Sequence, residues 1–318
     1  MEKISEQFRA IGTDIAICFS GIEEDVVKKE IDDIKNSVSR FEKRFSRFIK
    51  DSELSQMNSA CGRFQVSEEM LAILKEVKKY HLETKGVFDP TVLCALESVG
   101  YDRSFDKVIV EQPDKNEFSE RMHKEKFEKR GKLSEITIDE KNRQVVFSDE
   151  FRIDLGGIGK GYIIDRIVQD ILSRGLENFW ISAGGDIFLA GKDGDENWAV
   201  GVQNPKDLDS DLAKINVLDK NMSIATSGVA KRKGVRGGFK WNHIIDPRTG
   251  LSVVNDILAV TVIAPSVSEA DVFAKTVLIL GREDGMELIN GKIDTECLMI
   301  DSDLNILSSN NMEKYLIK

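Results

Sequence analysis

The sequence has few cysteines, histidines and prolines. Its 318 residues include four cysteines, three histidines and five prolines. No two cysteines form a Cys-x-x-Cys pair, so their spacing predicts neither a zinc knuckle nor the disulfide framework of a small secreted protein. We expect buried free thiols instead. The histidines are too scattered for a His-rich metal cluster, and so little proline excludes a collagen-like or low-complexity chain.

Long apolar runs are missing as well. No stretch approaches the roughly 20 apolar residues that a membrane-spanning helix needs. No basic segment followed by an apolar one marks a signal peptide at the start. These absences predict a cytoplasmic protein without a transmembrane segment. The alternative is the cell envelope, if the sequence was trimmed from a longer one.

An excess of positive charge is the third absence. The chain carries 45 Lys and Arg residues against 55 Asp and Glu residues, a formal net charge of −10. Because affinity for nucleic-acid phosphates comes mainly from clustered Lys and Arg, we expect no nucleic-acid partner. The composition, 41% hydrophobic and 31% charged, indicates a soluble globular protein with one large core or two smaller ones.

Hydrophobic periodicity predicts both helices and strands. Apolar residues recur every three or four positions from Val27 to Phe48, the pattern of an amphipathic helix of about six turns. A second helix is expected to begin after Ser67 and to end at Gly86. Alternating or apolar runs predict strands at residues 8–19, a hairpin at 136–147, two strands joined through Gly184 and Gly185 at 179–191, and a buried strand at 257–264.

These elements predict an α+β fold of mixed, largely antiparallel sheets with packed helices. No repeat or Pro/Ser-rich linker marks a boundary, so we expect a single domain over residues 1–318, with two lobes as an open alternative. The charge-dense and weakly periodic residues 102–135 are predicted to form a surface excursion. A late helix is predicted over 268–281, with Ser268 as its N-cap and Gly281 as its C-cap.

Glycines cluster where a predicted strand meets a helix. Gly156, Gly157, Gly159 and Gly161 surround Lys160. Backbone NH groups exposed by glycines at a helix N-terminus can hold a phosphate, and the lysine adds positive charge. The spacing fits neither a Walker A loop nor the dinucleotide-binding fingerprint. A tight strand-to-helix turn without a ligand is the alternative interpretation.

A histidine precedes an unusual turn sequence. His243 lies in W-N-H-I-I-D-P-R-T-G (241–250), where Asp246-Pro247 is expected to start a turn and Gly250 to close it. A histidine at this point can act as a general base near neutral pH. The alternative is a histidine at a strand end with no chemical role.

Asp271 has two interpretations. With Ser268 it matches a capping box at the start of a helix, which would make it structural. As a hard carboxylate it also suits Mg²⁺, which takes few protein ligands and keeps its other positions for water or phosphate.

Several segments match the sequence motifs of one protein family, and they follow in the same order along the chain. They are D-L-G-G-I-G-K-G-Y-x-x-D, I-S-A-G-G-D-I, I-A-T-S-G, H-I-I-D-P-R-T-G and E-A-D-V-F-A-K-T-x-x-x-L-G. Together with A-I-G-T, S-R-F-x-x-D-S-E-L-S-x-x-N and F-D-P-T-V upstream, they closely resemble the FAD:protein FMN transferases, the ApbE-like flavin transferases. The resemblance extends from about residue 8 to residue 308, and only the excursion at 102–135 is without it.

This resemblance implies a fold and a reaction. The fold would be an ApbE-like, T-fold-like α+β unit. In the reaction FAD is split at its pyrophosphate, and FMN is joined through its phosphate to a threonine hydroxyl of an FMN-binding target protein. AMP is released, and Mg²⁺ assists. Such phosphoryl chemistry needs charge neutralisation and a base for the hydroxyl.

The resemblance also implies roles for individual residues. His243 would be the base that deprotonates the target threonine, and Asp271 the second catalytic residue. The metal-site residues would be Gly157 (through its carbonyl oxygen), Asp271, Lys275 and Thr276. The flavin-binding residues would be Ile11, Phe48, Val87, Phe88, Asp89, Asp154, Lys160, Gly184, Ser227 and Ile245.

Three positions depart from the family pattern. Many members have Met in place of Ile11 and Tyr in place of Phe48, changes that keep an apolar or aromatic surface. Many also have a Thr ligand four residues after the metal aspartate, where this chain has Lys275. Lys275 lies about 40° from Asp271 around a helix, whereas Thr276 lies about 140° away. Lys275 could pair with Asp271, replacing part of the metal's charge or weakening metal binding.

Two other functions remain open at the level of sequence. In an FAD pyrophosphatase, water would replace the threonine, and FMN and AMP would be released. In a non-catalytic FAD-binding module, Lys275 would fill the metal site. The pyrophosphatase would use the same residues as the transferase.

Overall fold

The computed structural model describes residues 2–103, 111–112, 120–218, 221–236 and 239–317. The chain divides into two compact units. The first unit comprises Met1–Glu42, Ile158–Ala230 and Asn255–Lys318, and the second comprises Lys43–Gly157 and Lys231–Val254. That the chain folds as one domain stays a prediction.

Helices and strands alternate irregularly along the described residues. The strands are β1 (Lys3–Ala10), β2 (Thr13–Ser20), β3 (Arg63–Gln65), β4 (Glu111–Gln112), β5 (Thr137–Asp139), β6 (Gln144–Val146), β7 (Phe179–Ala183), β8 (Asp186–Ala190), β9 (Ala199–Asn204), β10 (Asp207–Asn216), β11 (Asn221–Gly228), β12 (Lys233–Arg236), β13 (Phe239–Asn242), β14 (Ile257–Ala264), β15 (Glu296–Asp301) and β16 (Ile306–Ser308).

The helices within the same described ranges are α1 (Glu24–Phe45), α2 (Glu53–Ser59), α3 (Glu68–Glu83), α4 (Leu93–Val99), α5 (Glu120–Glu128), α6 (Gly159–Ser173), α7 (Val267–Leu280) and α8 (Arg282–Asn290). None of these helices is long and apolar enough to cross a membrane.

An eight-stranded sheet forms the centre of the first unit. Its strand order is β1-β2-β7-β8-β11-β14-β15-β16, and every neighbouring pair is antiparallel. The predicted α+β fold with largely antiparallel sheets is therefore confirmed.

The two faces of this sheet belong to two separate cores. Ile15, Ile17 and Phe19 of β2 pack into one core with the apolar stripe of α1 and with α6, as the alternation along β2 predicts. Cys18, between them, lies in the other core, which includes Trp198. Helix α7 lies against β11, β14 and α6.

The second unit contains two small sheets and helices α2 to α5. One sheet has the order β3-β6-β5 and includes the predicted hairpin; the other has the order β13-β12-β4. A core cluster joins Leu96 and Val99 of α4, Phe127 of α5, and Trp241 of β13. The predicted excursion at 102–135 falls partly outside the described residues, and its described part includes α5 and Leu133, which is buried.

The cysteines only partly match the expectation of buried free thiols. All four are free, and Cys18 and Cys297 are buried. Cys61 is exposed and Cys94 half-buried, so the expectation of a buried thiol is wrong for Cys61. The reason is local, because Cys61 lies in the short turn between α2 and β3.

Candidate active site

The predicted site residues divide between the two units. The first unit contains Ile11, Lys160, Gly184, Ser227, Asp271, Lys275 and Thr276. The second contains Phe48, Val87, Phe88, Asp89, Asp154, Gly157, His243 and Ile245.

A two-glycine turn in the first unit places an acid at the start of β8. Gly184 (φ 65°) and Gly185 (φ 100°) join β7 to β8 as predicted, with the positive φ that a tight hairpin turn requires. A Cβ on Gly184 would lie 2.3 Å from Thr13 Oγ1, so this close approach also requires glycine. The turn leads directly into Asp186, which is buried.

Helices α6 and α7 approach each other closely through a glycine and an acid. A Cβ on Gly161 would lie 2.6 Å from the Cα of Ser268, so the approach depends on glycine. One helical turn further on, Asp165 accepts hydrogen bonds from the backbone N of Val267 (2.8 Å) and Ser268 (2.9 Å) and from the Ser268 hydroxyl (2.6 Å). Sequence reasoning missed this role of Asp165. The available signal was its i,i+4 spacing from Gly161, which puts both on one face of α6.

The start of α7 corrects the predicted N-cap. Ser266, not Ser268, is the N-cap, and its hydroxyl oxygen accepts a hydrogen bond from Glu269 N at 3.2 Å. Both Ser266–Glu269 and Ser268–Asp271 have the capping spacing, but Ser268 is held by Asp165. Asp271 therefore lies beyond the first turn of the helix, and capping does not explain it.

Lys160, Asp186, Asp271 and Lys275 form a buried cluster, which we call the charge quartet. Lys160 Nζ forms ion pairs with Asp186 and, at 3.1 Å, with Asp271 Oδ2. Lys275 Nζ pairs with Asp271 Oδ1, which confirms the pairing predicted from their i,i+4 spacing. The two aspartate side chains are only 1–2% exposed. The quartet thus contains two formal positive and two formal negative charges.

Burial and pairing act in opposite directions on the pKa values of the quartet. Burial alone would raise the pKa of Asp271, but Lys160 and Lys275 outweigh it and hold the pKa below its ordinary value. Burial would lower the pKa of Lys160, but Asp186 and Asp271 outweigh it and raise that pKa. Burial lowers the pKa of Lys275 and raises that of Asp186. Pairing therefore outweighs burial at Asp271 and Lys160, whereas burial outweighs pairing at Lys275 and Asp186.

The charge quartet does not fit the Mg²⁺ site that the resemblance implies. Mg²⁺ demands near-octahedral oxygen coordination, whereas both carboxylate oxygens of Asp271 contact ammonium groups. The Thr276 hydroxyl donates to Val272 O at 2.8 Å within α7. Among the described residues, no group of three or more His, Cys, Asp and Glu side chains could hold a metal ion.

Ile11, a predicted flavin contact, has an unusual backbone conformation. It occupies the turn between β1 and β2 with φ 48°, and Gly12 follows with φ 71°. The single strand predicted over residues 8–19 is therefore wrong, because this turn divides the segment between two strands. A β-branched residue rarely adopts this left-handed conformation, which costs about 1–3 kcal/mol and is found most often at functional sites. Ser227, another predicted contact, is buried on β11 opposite Val260 of β14.

His243 lies in the second unit and directly follows β13, so it is at the end of a strand as predicted. Neighbouring residues fix its backbone. Asn242 Nδ2 donates to Val253 O (2.9 Å), and Asn242 Oδ1 accepts from Ile244 N (3.0 Å). Asn242 N donates to Ser252 Oγ at 3.0 Å. This arrangement restrains the chain on both sides of His243, which favours a defined position for its imidazole.

The Asp-Pro-Arg-Thr-Gly segment forms the predicted turn. Asp246 O accepts hydrogen bonds from Thr249 N at 3.1 Å and Gly250 N at 2.8 Å, and the Asp246 carboxylate accepts one from Arg248 N at 2.9 Å. Gly250 has φ 75°, and a Cβ there would lie 2.6 Å from the Phe127 ring. The backbone conformation and the close approach both require glycine at this position.

Two residues from the predicted excursion support this turn. His123 is buried, and its Nε2 lies 2.6 Å from Gly250 O. Arg130 Nη2 donates to Pro247 O at 3.1 Å, and Arg130 Nε donates to Thr91 Oγ1 at 3.3 Å. Sequence reasoning missed both residues because the segment around them is charge-dense and weakly periodic.

The predicted FAD-binding acids stabilise neighbouring loops. Asp89 Oδ1 accepts hydrogen bonds from the amide N (2.9 Å) and hydroxyl (2.7 Å) of Thr91. Asp154 Oδ1 accepts one from Gly156 N at 2.8 Å, and Asp154 N donates to Pro90 O at 2.9 Å. This last bond brings the Asp89 and Asp154 segments together, with Gly157 three residues beyond Asp154.

An arginine faces each of these acids. Arg130 Nη2 lies 3.9 Å from Asp89 Oδ2, and Arg47 Nε lies 3.4 Å from Asp154 Oδ2. The Arg47 guanidinium carbon also lies 4.2 Å from the ring centroid of Phe48, which is 43% exposed. Phe48 therefore presents an accessible aromatic surface next to a cation.

The other predicted apolar contacts of the second unit are buried. Val87 and Phe88 lie just before Asp89, and the Phe88 carbonyl oxygen contacts His81 Nδ1 at 2.9 Å. Ile245 belongs to the core cluster with Trp241.

Comparison with known proteins supports one family. The model of the ApbE family matches residues 11–299. The FAD:protein FMN transferase of Vibrio cholerae is 30% identical over 263 residues, which cover 82% of this chain and 75% of the relative. That of Treponema pallidum is 27% identical, covering 81% of this chain and 73% of the relative. The crystal structure of the ApbE protein from Thermotoga maritima superposes with a TM-score of 0.87 at 26% identity, covering both chains in full.

The names of the relatives indicate the class of protein, a transferase, and the α+β fold and the family match are consistent with it. The chain belongs to the ApbE family, since the family model spans most of its length.

Proposed function

We propose that the protein transfers FMN from FAD to a threonine hydroxyl of an FMN-binding target protein and releases AMP. The observation that carries the proposal is the match to the ApbE family over residues 11–299, together with relatives named FAD:protein FMN transferase. His243 and Asp271 both lie within that match. The partners are then FAD and the target protein, with no nucleic acid, and a cytoplasmic location stays a prediction.

In the proposed step, the threonine oxygen attacks the FMN phosphorus of FAD. A bond forms between that oxygen and phosphorus, the pyrophosphate bond breaks, and AMP leaves with the bridging oxygen. His243 takes the hydroxyl proton, a role that its restrained backbone suits. The Phe48 ring offers a stacking surface for the flavin or the adenine. A contact between Lys160 and FAD stays a prediction, because Asp186 and Asp271 already pair with the Lys160 ammonium group.

The Mg²⁺ that the resemblance implies stays a prediction. When bound in such a site, a magnesium ion would neutralise charge on the phosphate oxygens. The two lysines on Asp271 argue against this ion in this chain.

The experiment is a transfer assay with FAD and a co-purified FMN-binding domain that carries an acceptor threonine. We expect flavin fluorescence to remain on the denatured target band, and one AMP to appear for each flavin attached. A target with the acceptor threonine changed to alanine is the control. FMN and AMP formed without attachment would instead indicate an FAD pyrophosphatase, and absence of AMP a non-catalytic FAD-binding module.

Binding provides an independent check. Because the adenylate half should occupy part of the site, calorimetric titration should show tighter binding of FAD than of FMN or riboflavin. Equal affinity for FAD and riboflavin would contradict the assignment of FAD as the substrate.

A further inference from the structure

The charge quartet is unusual because its charges are buried yet balanced. Asp271 and Asp186 have side chains 1% and 2% exposed, and Lys275 and Lys160 have side chains 16% and 18% exposed. Taking ions out of water is costly unless opposite charges are close by. Two lysines beside two aspartates meet this requirement without any additional ion.

A divalent cation would disturb this balance. If Mg²⁺ joined the quartet with both lysines charged, the cluster would carry two excess positive charges in a low-dielectric environment. To restore the balance, the ion would have to displace both ammonium groups from the cluster. The charge count alone therefore disfavours a metal here.

The geometry leads to the same conclusion. Lys275 Nζ contacts Asp271 Oδ1 and lies 3.4 Å from the Asp271 carbonyl oxygen, while Lys160 Nζ lies 3.1 Å from Asp271 Oδ2. The Thr276 hydroxyl is bonded within the helix. Lys275 thus sits against the carboxylate oxygen that a metal ion would use.

We propose that Lys275 is a built-in cation that takes the place of Mg²⁺ beside Asp271. The ligand-free protein then has no Mg²⁺ site at Asp271. A second consequence rests on the proposed function: FMN transfer by this chain proceeds without an added divalent metal.

The first test is calorimetric titration of the ligand-free protein with Mg²⁺ alone. We expect no binding at Asp271 in the unmodified chain or in Lys275→Arg, which keeps the charge. Lys275→Thr removes the ammonium and adds a hydroxyl, so it should bind Mg²⁺ at least about tenfold more tightly than the unmodified chain. Lys275→Met exposes Asp271 but adds no oxygen, so it should bind Mg²⁺ more weakly than Lys275→Thr.

The unmodified chain also tests the proposal without relying on any Lys275 variant. If it binds Mg²⁺ as tightly as Lys275→Thr, or if it binds Mg²⁺ and Asp271→Asn abolishes that binding, the inference is wrong. Thermal melts with and without Mg²⁺ report the same difference, because a ligand that binds only the folded state raises Tm.

The second test measures transfer in EDTA and in excess Mg²⁺. We expect the two rates to differ by less than about tenfold, or about 1.4 kcal/mol of activation free energy. Transfer that stops in EDTA and returns with Mg²⁺ would overturn the inference. If no transfer occurs under either condition, the proposed function fails, while the titrations without FAD still decide the role of Lys275.

Discussion

The first unit holds Asp271 through ion pairs between segments distant in sequence, whereas the second unit holds His243 through hydrogen bonds between near neighbours. Lys160 and Asp271 are 111 positions apart. Asn242, which restrains His243, bonds to residues 10 and 11 positions away. In the first unit the tertiary fold must form before the charges meet, but in the second the hydrogen bonds that fix Asn242 form between segments close in sequence.

This contrast predicts different consequences of mutation. A buried charge that loses its partner destabilises the whole unit, because it cannot recover its solvation. A residue on a restrained turn can be removed at little cost to folding, and its loss should appear in activity. The predictions below test this difference, from the largest expected effect to the smallest.

The largest effect is expected for His243→Ala. If His243 is the base, the transfer rate should fall by about 10²–10⁴-fold, the usual range for general base catalysis. FAD affinity and Tm should change little, because the hydrogen bonds of Asn242 fix the backbone around His243 and stay in place in this variant. Steady-state transfer assays, FAD titrations and thermal melts measure these three quantities. A variant that transfers flavin at the unmodified rate would show that His243 is only a strand-end residue.

The next effect is expected for Asp186→Asn in the charge quartet. Removing one carboxylate leaves Lys160 buried with less compensation, so the free energy of unfolding should fall by about 3–5 kcal/mol. Urea unfolding measures the change. The matched control is Asp256→Asn in the same unit, because Asp256 is half exposed and its pairing with Arg282 should contribute about 0–1 kcal/mol. Equal losses of unfolding free energy in the two variants would show that burial does not make the Asp186 ion pair more important for stability than the exposed Asp256 pair.

A smaller effect is expected for Arg130→Met in the second unit. Arg130 donates to Pro247 O and Thr91 Oγ1, so its loss should reduce the free energy of unfolding by about 1.5–3 kcal/mol. Arg130→Lys should rescue little, because an ammonium group cannot reproduce the guanidinium fork. Lys129→Met is the control, since Lys129 is exposed and should change stability by less than about 0.5 kcal/mol. If Arg130→Met and Lys129→Met lower the free energy of unfolding by the same amount, Arg130 does not support the turn.

The smallest effect concerns thiol labelling and leaves the fold intact. Burial raises the pKa of Cys297 to about 12 and also raises that of Cys18, so few of these first-unit thiols are deprotonated near neutral pH. Exposed Cys61 in the second unit should therefore react with iodoacetamide much faster. Peptide mass spectrometry of native and urea-unfolded protein measures this order, with Cys61→Ser as the control. Equal native labelling of Cys297 and Cys61 would show that the first unit opens readily.

Short-range patterns were predicted well. The strand at 257–264, the Gly184-Gly185 hairpin and the turn after His243 all follow from residues within about ten positions of one another. The N-cap of α7 was predicted wrongly because two serines have capping spacing, and the choice between them depends on Asp165, about 100 positions earlier. No local pattern contains that information.

The sequence by itself determined the α+β class, the family and several strands, because alternation, helical periodicity and motif order are properties of the chain. It also predicted that Lys275 can reach Asp271, since four residues span one helical turn. Only the tertiary structure decided that Lys160 and Asp186 join them to form a balanced, buried quartet. It likewise decided that Arg130 links the Asp89 and Pro247 loops. Such contacts depend on how distant segments pack, and the burial of each charged group then shifts its pKa.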